Sequence, residues 1–274
     1  MKATAPTERG GNAPSNDRSA ERIFEILRRR ILADEVRAGE SLDGERVLAP
    51  ALDTNRNTLR EAIRKLEQDR LVHVRHGKSV LVNDFRRSGR SELIGPFLEQ
   101  GADVAERVGA LEDILRLRLH VVDALLELAV ERATELDVER LASLCAQQIE
   151  AFGRGDRTAL ARGDAAWIEA LVDAARSLPM RWMANGLLEV FDHMATRLPA
   201  IWLVEPTYPA FLGELLDAVR AHDSAAARAT ARAYFERNDR RIRPLLPAAI
   251  KALGAAPGEA PTPHSKGGKH DARS

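Results

Sequence analysis

Residues 53–82 decide the fold of this chain, and they read DTNRNTLREAIRKLEQDRLVHVRHGKSVLV. In the first half of this stretch, apolar residues recur at the i, i+3, i+4 and i+7 spacing of an amphipathic helix. They are Leu59, Ala62, Ile63 and Leu66. Arg56, Arg60 and Arg64 lie one turn apart on the opposite face. The pattern predicts a helix with an apolar inner face and a cationic outer face.

Two short alternating segments follow this helix. Leu71–Arg75 and Ser79–Val82 alternate apolar and polar residues, which predicts two strands. His76, Gly77 and Lys78 lie between them and are expected to form a tight, cationic turn. A helix followed by a basic hairpin is typical of the C-terminal half of a winged helix-turn-helix. The stretch therefore predicts a domain that binds DNA.

The residues before this stretch predict two more helices. Ser19 is expected to cap the first, which turns Ile23, Phe24, Leu27 and Ile31 inward and ends at residues 38–40. The second is expected over about residues 43–52, with Val47, Leu48 and Leu52 inward. Pro50 falls past its first turn, so this helix should be short or kinked.

From Ser91 onward every segment predicts a helix. The expected helices cover about 91–101, 103–133, 138–153, 157–177, 180–198, 209–222 and 224–242. The fold class is therefore mainly α, with a winged helix-turn-helix and its two-stranded wing followed by an all-α antiparallel bundle of about seven helices. The expected domains are a disordered tail (1–16), the winged helix (17–85), a linker with a connecting helix (86–102), an effector-binding and dimerisation bundle (103–250) and a second disordered tail (251–274).

Composition narrows the class of protein. Aromatic residues make up only 4% of the chain, which favours helical packing over sheet sandwiches. Cys145 is the single cysteine, so an intrachain disulfide is excluded and a reducing cytoplasm is expected. No apolar window is long enough for a membrane span. Residues 17–90 contain 17 Lys and Arg against 13 Asp and Glu, whereas residues 91–250 contain 18 against 25, so the positive excess lies with the predicted winged helix.

Several short motifs carry a resemblance to a known family. They are Gly39-x-x-Leu42, Glu45-Arg46, Leu48-Ala49, Asn55-Arg56-Asn57-Thr58-Leu59-Arg60-Glu61-Ala62 and His76-Gly77-Lys78. With these elements in order, residues 19–84 resemble the winged helix of the GntR family of bacterial regulators. The wing and the following Val82-Asn83-Asp84-Phe85 are similar to its FadR branch, which implies an all-helical effector domain behind the winged helix.

The resemblance also implies a set of DNA-contacting residues. The matching positions are Arg46, Asn55, Arg56, Asn57, Thr58 and Arg60, with His76, Gly77 and Lys78 at the wing tip. Chemically, an arginine fork suits O6 and N7 of guanine, whereas Asn and Thr suit other base edges or phosphates. Gly77, which has no side chain, allows the backbone to approach a groove closely.

Arg118 is the most informative residue of the second half. It falls within the inward stripe formed by Leu111, Leu115, Val122 and Leu125, and a buried charge needs a partner. Asp164 lies in a similar stripe, so one reading is a structural Arg118–Asp164 pair. The other reading is an arginine that binds an anionic effector.

The resemblance adds to the second reading. Arg118 and Tyr234 match positions near the acyl-CoA ligand of FadR-type proteins, although Phe235, Asn238 and Ile242 replace residues that surround the thioester there. Many relatives bind a divalent metal through one Asp and three His. The first matches Asp164, but Ile168, Leu212 and Tyr234 occupy the histidine positions, so no metal is predicted.

These observations predict a homodimeric regulator, repressor or activator, that binds near-palindromic operator DNA. Its effector is expected to be an anionic metabolite, either of the acyl-CoA or fatty-acid type or a small organic acid, held by Arg118, Asp164 and Tyr234. No cofactor and no membrane partner are expected. The alternative is a ligand-independent architectural DNA-binding protein. An enzyme is not expected, because no nucleophile–base spacing, metal cluster or cofactor loop is present.

Overall fold

The computed structural model describes residues 13–75, 79–197 and 205–254. The N-terminal part contains α1 (Ala13–Leu32), α2 (Glu45–Ala51), α3 (Arg56–Gln68), β1 (Val72–Arg75) and β2 (Ser79–Val82). A connecting region follows, with α4 (Phe85–Ser88), a 3-10 turn (Ser91–Leu93) and α5 (Ile94–Gln100). The remaining helices are α6 (Val104–Arg132), α7 (Glu135–Arg154), α8 (Arg157–Ala174), α9 (Leu178–Arg197), α10 (Tyr208–Arg220), α11 (Ser224–Ile242) and, after a 3-10 turn (Arg243–Leu245), α12 (Leu246–Gly254). The predicted fold class is confirmed.

The core of the N-terminal domain forms between α1 and α3. Leu59, Ala62 and Leu66 of α3 are fully buried and meet Ile23 and Leu27 of α1. Every one of these five positions was predicted to face inward from helical spacing. Because the apolar face of α3 is buried in this core, its opposite face is exposed to solvent.

The wing is a two-stranded antiparallel hairpin. Its register pairs Val72 with Val82 and Arg75 with Ser79. The segment before α2 extends the sheet, because the Leu42 amide donates to the Val80 carbonyl at 2.8 Å and the Gly39 amide to the Val82 carbonyl at 2.8 Å. Gly39 has a φ of +85°, which a glycine adopts without strain. The strands thus hold the wing against the helical core.

Three local predictions for this domain are wrong. Helix α1 begins at Ala13, so residues 13–16 are helical and Ser19 lies inside the helix instead of capping it. The same helix ends at Leu32, because Asp34 takes a left-handed φ of 54° and turns the chain away. Val47 is 61% exposed, since the seven-residue α2 buries only Leu48 and Ala49. The prediction of a short helix around Pro50 is confirmed.

The helical region after residue 103 has one helix more than predicted within the described residues. Helix α12 buries Leu246, Ile250 and Leu253 against α6, so residues 251–254 do not belong to a disordered tail. Asp156 caps α8, because its side chain accepts from the Ala159 amide at 2.9 Å. No helix within the described ranges is long and apolar enough to cross a membrane.

The connecting region packs on both domains. Leu93 and Phe97 join the N-terminal core, whereas Leu98 is buried with α6 and α12. Arg107 of α6 fixes this arrangement, because its buried guanidinium donates to the Leu98 carbonyl at 2.7 Å and to the Ile250 carbonyl at 2.9 Å. The predicted linker is therefore a packed junction.

Arg86 adds an ionic link at the same junction. Its guanidinium donates to both carboxylate oxygens of Glu106 in α6 at 2.9 Å and to Asp34, after α1, at 3.0 Å. Hydrogen bonds to these two carboxylates raise the pKa of Arg86. Arg86 therefore ties the two domains together.

Candidate DNA interface and ligand cavity

The N-terminus of α3 presents a polar, cationic surface. Asn55 caps the helix, because its side-chain oxygen accepts from the Thr58 amide at 2.9 Å. Arg56, Asn57 and Arg60 are exposed beside it, as is the side chain of Asn55 itself. The positive end of the helix dipole and the guanidiniums both attract anions to this surface. This end of α3 is suited to enter a DNA groove.

Helix α2 contributes to the same surface. Arg60 donates through Nε to both carboxylate oxygens of Glu45, at 2.8 and 3.0 Å. This hydrogen bond lowers the pKa of Glu45, so the carboxylate is a permanent partner at neutral pH. Arg46, next along the chain, is exposed. The pair holds the Arg60 side chain in a defined place between α2 and α3.

The remaining predicted DNA contacts are Thr58 and the three residues of the wing tip. Thr58 is only 1% exposed, so its side chain lies in the domain interior and leaves no surface for a base edge. Its place on α3 puts it beside the buried Leu59, and we assign it a packing role. His76, Gly77 and Lys78 lie outside the described residues.

The helical domain encloses a cavity of about 120 Å³ between α6, α8, α9, α10 and α11. Most of its wall is apolar, and Arg118 is the one cation among the described residues that line it. Asp164 and Tyr234, the other two predicted effector residues, lie in the same wall. The structure thus brings together all three residues that the sequence assigned to one site.

Arg118 has a partner that the sequence did not predict. Its Nη2 donates to Asp239 of α11 at 2.5 Å, and both side chains are largely buried. The guanidinium also lies over the Phe235 ring, 4.3 Å from its centroid. The predicted Arg118–Asp164 pair is wrong, because α11 packs along α6 and supplies the nearer carboxylate. Within the described part of the chain, Nε of Arg118 is buried without a hydrogen-bond partner.

Asp164 belongs to a separate hydrogen-bond network in the cavity wall. Its Oδ1 accepts from the Tyr208 hydroxyl at 2.6 Å and from the Gln148 amide at 2.8 Å. Burial and the nearby Asp164 carboxylate raise the pKa of Tyr208, so its hydroxyl stays a donor. Tyr234 stacks on Phe211 with a centroid separation of 4.0 Å. Asp164 is therefore held by neighbours from α7 and α10.

The positions aligned with a metal site do meet in space. Ile168 and Leu212 line the same cavity as Asp164 and Tyr234, which agrees with the alignment. Two of these side chains are aliphatic and offer no donor atom to a metal ion. Among the described residues, no group of three His, Cys, Asp or Glu side chains could hold a metal.

Sequence reasoning did not name Tyr208 or Asp239, and it named Asn238 only as a departure from FadR-type proteins, without a role in the site. Asn238 lies on the inward stripe of α11 with Ala231, Tyr234 and Ile242. The rule that singled out Arg118, a polar residue within an apolar stripe, would have found it. Asp239 is 4% exposed but neighbours that stripe instead of repeating it, so only the packing of α11 on α6 reveals its role.

A winged helix with a cationic recognition helix, joined to a helical domain that encloses a cavity, defines a class of two-domain transcription regulators. Comparison with known families agrees. Residues 19–82 match the bacterial regulatory proteins of the gntR family, and residues 113–237 match the FCD domain. The chain belongs to the GntR family of transcriptional regulators and carries an FCD domain.

Known relatives are regulators as well. The chain is 28% identical over 216 residues to the HTH-type transcriptional regulator Mce2R of Mycobacterium tuberculosis, covering 79% of this chain and 88% of that protein. A 115-residue segment is 30% identical to the HTH-type transcriptional repressor NanR of Shigella sonnei, covering 42% and 43% of the two chains. The solved structure of Lar, which controls the expression of the Listeria monocytogenes agr system, covers 90% of this chain and 100% of its own at 16% identity, with a TM-score of 0.52. That likeness shows the fold.

Proposed function

We propose that the chain acts as a homodimeric, ligand-responsive repressor that binds a near-palindromic operator through two copies of α3. The observation that carries this proposal is the exposed N-terminus of α3, where Arg56, Asn57 and Arg60 stand beside Arg46 of α2. Paired recognition helices in a dimer read two half-sites, which is the reason for a palindromic operator. Repression is supported by the similarity to NanR, which is named a repressor.

The proposed DNA contacts are Arg46, Asn55, Arg56, Asn57 and Arg60, with the wing tip His76, Gly77 and Lys78. Arg56 and Arg60 are suited to guanine edges, because a planar fork can donate twice. Asn55 already accepts a hydrogen bond from the Thr58 amide, so its remaining amide hydrogens are the groups available to DNA. Thr58 supports the helix from inside.

The proposed effector is an anionic metabolite that binds in the cavity, with Arg118 as its anchor and Asp164 and Tyr234 in the wall. The cavity favours this reading over a ligand-independent architectural protein, since a buried Nε without a partner is a costly group unless a ligand uses it. We propose no catalytic role and no metal or other cofactor.

The test begins by identifying bound sites through genomic footprinting with the full-length protein. Operator affinity is then measured by fluorescence anisotropy, with the protein mass in the complex determined by light scattering. We expect two chains on each operator and a loss of specific binding in Arg56→Ala. Arg29→Ala removes an exposed arginine of α1 outside the proposed set and serves as the control. Equal losses in both variants would contradict a specific role for α3.

The ligand arm is tested by thermal shift with a panel of small carboxylic acids. A stabilising ligand should also change operator affinity, because ligand and operator are coupled through one molecule. Binding without any change in operator affinity would favour the architectural alternative.

A further inference from the structure

Two polar atoms of the cavity wall are buried without a hydrogen-bond partner in the described part of the chain. One is Nε of Arg118, which is a donor, and the other is Oδ1 of Asn238, which is an acceptor. Asn238 is 9% exposed, and both residues line the cavity. Unsatisfied buried polar groups are rare, so a donor and an acceptor in one wall call for a ligand that satisfies both.

The packing of α11 on α6 brings Arg118 to the stretch of α11 that contains Asn238. Arg118 stacks over Phe235 and pairs with Asp239. Asn238 follows Phe235 by three residues, so both lie on the face of α11 that meets the cavity. The donor and the acceptor therefore belong to one end of the cavity.

The carboxylates around this end of the cavity disfavour the binding of an anionic ligand. Among the described residues, the charged or titratable side chains that line the site or contact Arg118 are Arg118 from α6, Asp164 from α8, the exposed Asp192 from α9, Tyr208 from α10, and Tyr234 with Asp239 from α11. They amount to one guanidinium against three carboxylates, and Asp239 already neutralises that guanidinium at 2.5 Å. A carboxylate desolvated beside other carboxylates takes up a proton more readily than it does in water.

We propose that the effector, an anion in neutral solution, is a compact carboxylic acid that binds in its uncharged form, its carbonyl accepting from Arg118 Nε and its hydroxyl donating to Asn238 Oδ1. This inference rests on the proposed ligand-responsive function and names the ligand class of the same cavity. A protonated carboxyl group presents one acceptor and one donor, which complements the two unsatisfied atoms. Binding from neutral solution consumes one proton for each ligand bound.

The cavity walls define the rest of the ligand. The chain has only seven Phe, three Trp and two Tyr, yet half of them line this cavity. They are Trp167, Phe191, Tyr208, Phe211, Tyr234 and Phe235. A volume of about 120 Å³ is similar to that of an apolar cavity of roughly 150 Å³ that accommodates benzene. A flat ring with one carboxyl group fits these walls, whereas a whole acyl-CoA exceeds them.

Benzoic acid and benzamide are the probes for the test. A primary amide has the same carbonyl acceptor and an N–H donor in place of the hydroxyl, but it stays uncharged at every working pH. Binding of both probes to the full-length wild type is measured by titration calorimetry between about pH 5.5 and pH 8, where free benzoic acid is ionised. Buffers that differ in ionisation enthalpy report the protons taken up.

We expect the affinity for benzoic acid to fall about tenfold per pH unit, because only the protonated fraction is competent to bind. One proton should be taken up per ligand, while the affinity for benzamide should stay constant. A benzoic acid affinity that is independent of pH, with no proton uptake, would show that the anion binds and would overturn the proposal. Failure of both probes to bind would overturn the assignment of a compact ring acid.

A variant tests the hydrogen bond to Asn238. Asn238→Leu keeps the side-chain volume but removes the acceptor, and it should weaken both probes about tenfold. Asn185→Leu, at an exposed position of α9 outside the cavity lining, is the matched control and should bind both probes as the wild type does. Unchanged binding by Asn238→Leu would contradict the contact.

Operator binding without ligand is measured on the same proteins. If operator binding is intact and longer carboxylic acids still change it, failure of the ring acids overturns the ligand class alone. If α3 variants leave operator affinity unchanged, the proposed regulatory function itself fails.

Discussion

Helix α3 and helix α6, which lines the cavity, both carry arginines, but these arginines differ in their position relative to the apolar stripe of the helix. On α3, Arg56 and Arg60 lie off the stripe and are exposed, and Arg60 pairs with Glu45 at the same surface. On α6, Arg118 lies within the stripe and finds its first partner, Asp239, inside the molecule. The comparison shows that a residue's position on a helix predicts whether its charge is buried, but not which group meets it.

The difference comes from the range of the interactions. The Asn55 cap and the α3 face are set by residues within a few positions in the chain. The partner of Arg118 lies 121 residues away and depends on the rotation of α11 about its axis. A rotation of one residue separates Asn238, which faces the cavity, from Asp239, which meets the guanidinium.

The largest effect is expected for Arg118→Ala. It leaves the Asp239 carboxylate buried without its cation, which should lower the free energy of unfolding by about 3–5 kcal/mol. Urea denaturation followed by circular dichroism measures the change. Arg118→Gln/Asp239→Asn removes both charges and should recover most of the loss. A destabilisation of similar size in the double variant would mean that packing over Phe235, not the ion pair, accounts for the effect.

Arg60→Ala tests the role of an exposed arginine on α3. Loss of a base contact should weaken specific operator binding by roughly 1–3 kcal/mol and leave folding nearly unchanged. The substitution also releases Glu45, whose carboxylate would then repel phosphate. Operator titrations of Arg60→Ala, Glu45→Gln and the double variant separate the two contributions. Unchanged affinity in all three would remove Arg60 from the interface.

The limits of sequence-based prediction follow the same division between local and distant contacts. Helical spacing identified the buried faces of α1 and α3, and the wing strands were predicted to within one residue. Val47 was misplaced because a seven-residue helix has too few turns for its spacing to define a face. Helix α12 was missed because the burial of Ile250 and Leu253 depends on contacts with α6, far away in the chain.

The cavity was predicted only in outline. Arg118, Asp164 and Tyr234 all line the cavity, but the predicted partner of Arg118 was wrong. The donor and acceptor left unsatisfied on Arg118 and Asn238 are properties of packing, and no spacing rule reports them. The motifs at the N-terminus of α3, in contrast, are read from consecutive residues.

A smaller effect on stability is expected for Arg86→Ala, which removes the arginine that links the two domains. Its ion pairs with Asp34 and Glu106 are about two-fifths exposed, so solvent screening should limit the loss of stability to about 1 kcal/mol. The loss should appear instead in the ratio of operator affinities with and without ligand, because this arginine bridges the domains. Titrations of wild type and variant measure that ratio, with the neighbouring, exposed Arg87→Ala as control. An unchanged ratio would place the coupling in the apolar packing of Leu93 and Phe97.

The smallest effect is expected for Lys78→Ala at the proposed wing tip. A lysine that contacts phosphate contributes a sequence-independent attraction that weakens as salt rises, since binding releases counterions. Its removal should therefore lower affinity for operator and unrelated DNA alike, and reduce the slope of log affinity against log salt by about one unit. Arg60→Ala, in contrast, should affect the operator more than unrelated DNA, because base contacts carry sequence information. Anisotropy titrations of both variants over a range of salt concentrations compare the two patterns. If Lys78→Ala left the slope unchanged, the wing would not touch the DNA backbone, and specific and non-specific affinity would both come from α3 and its neighbours.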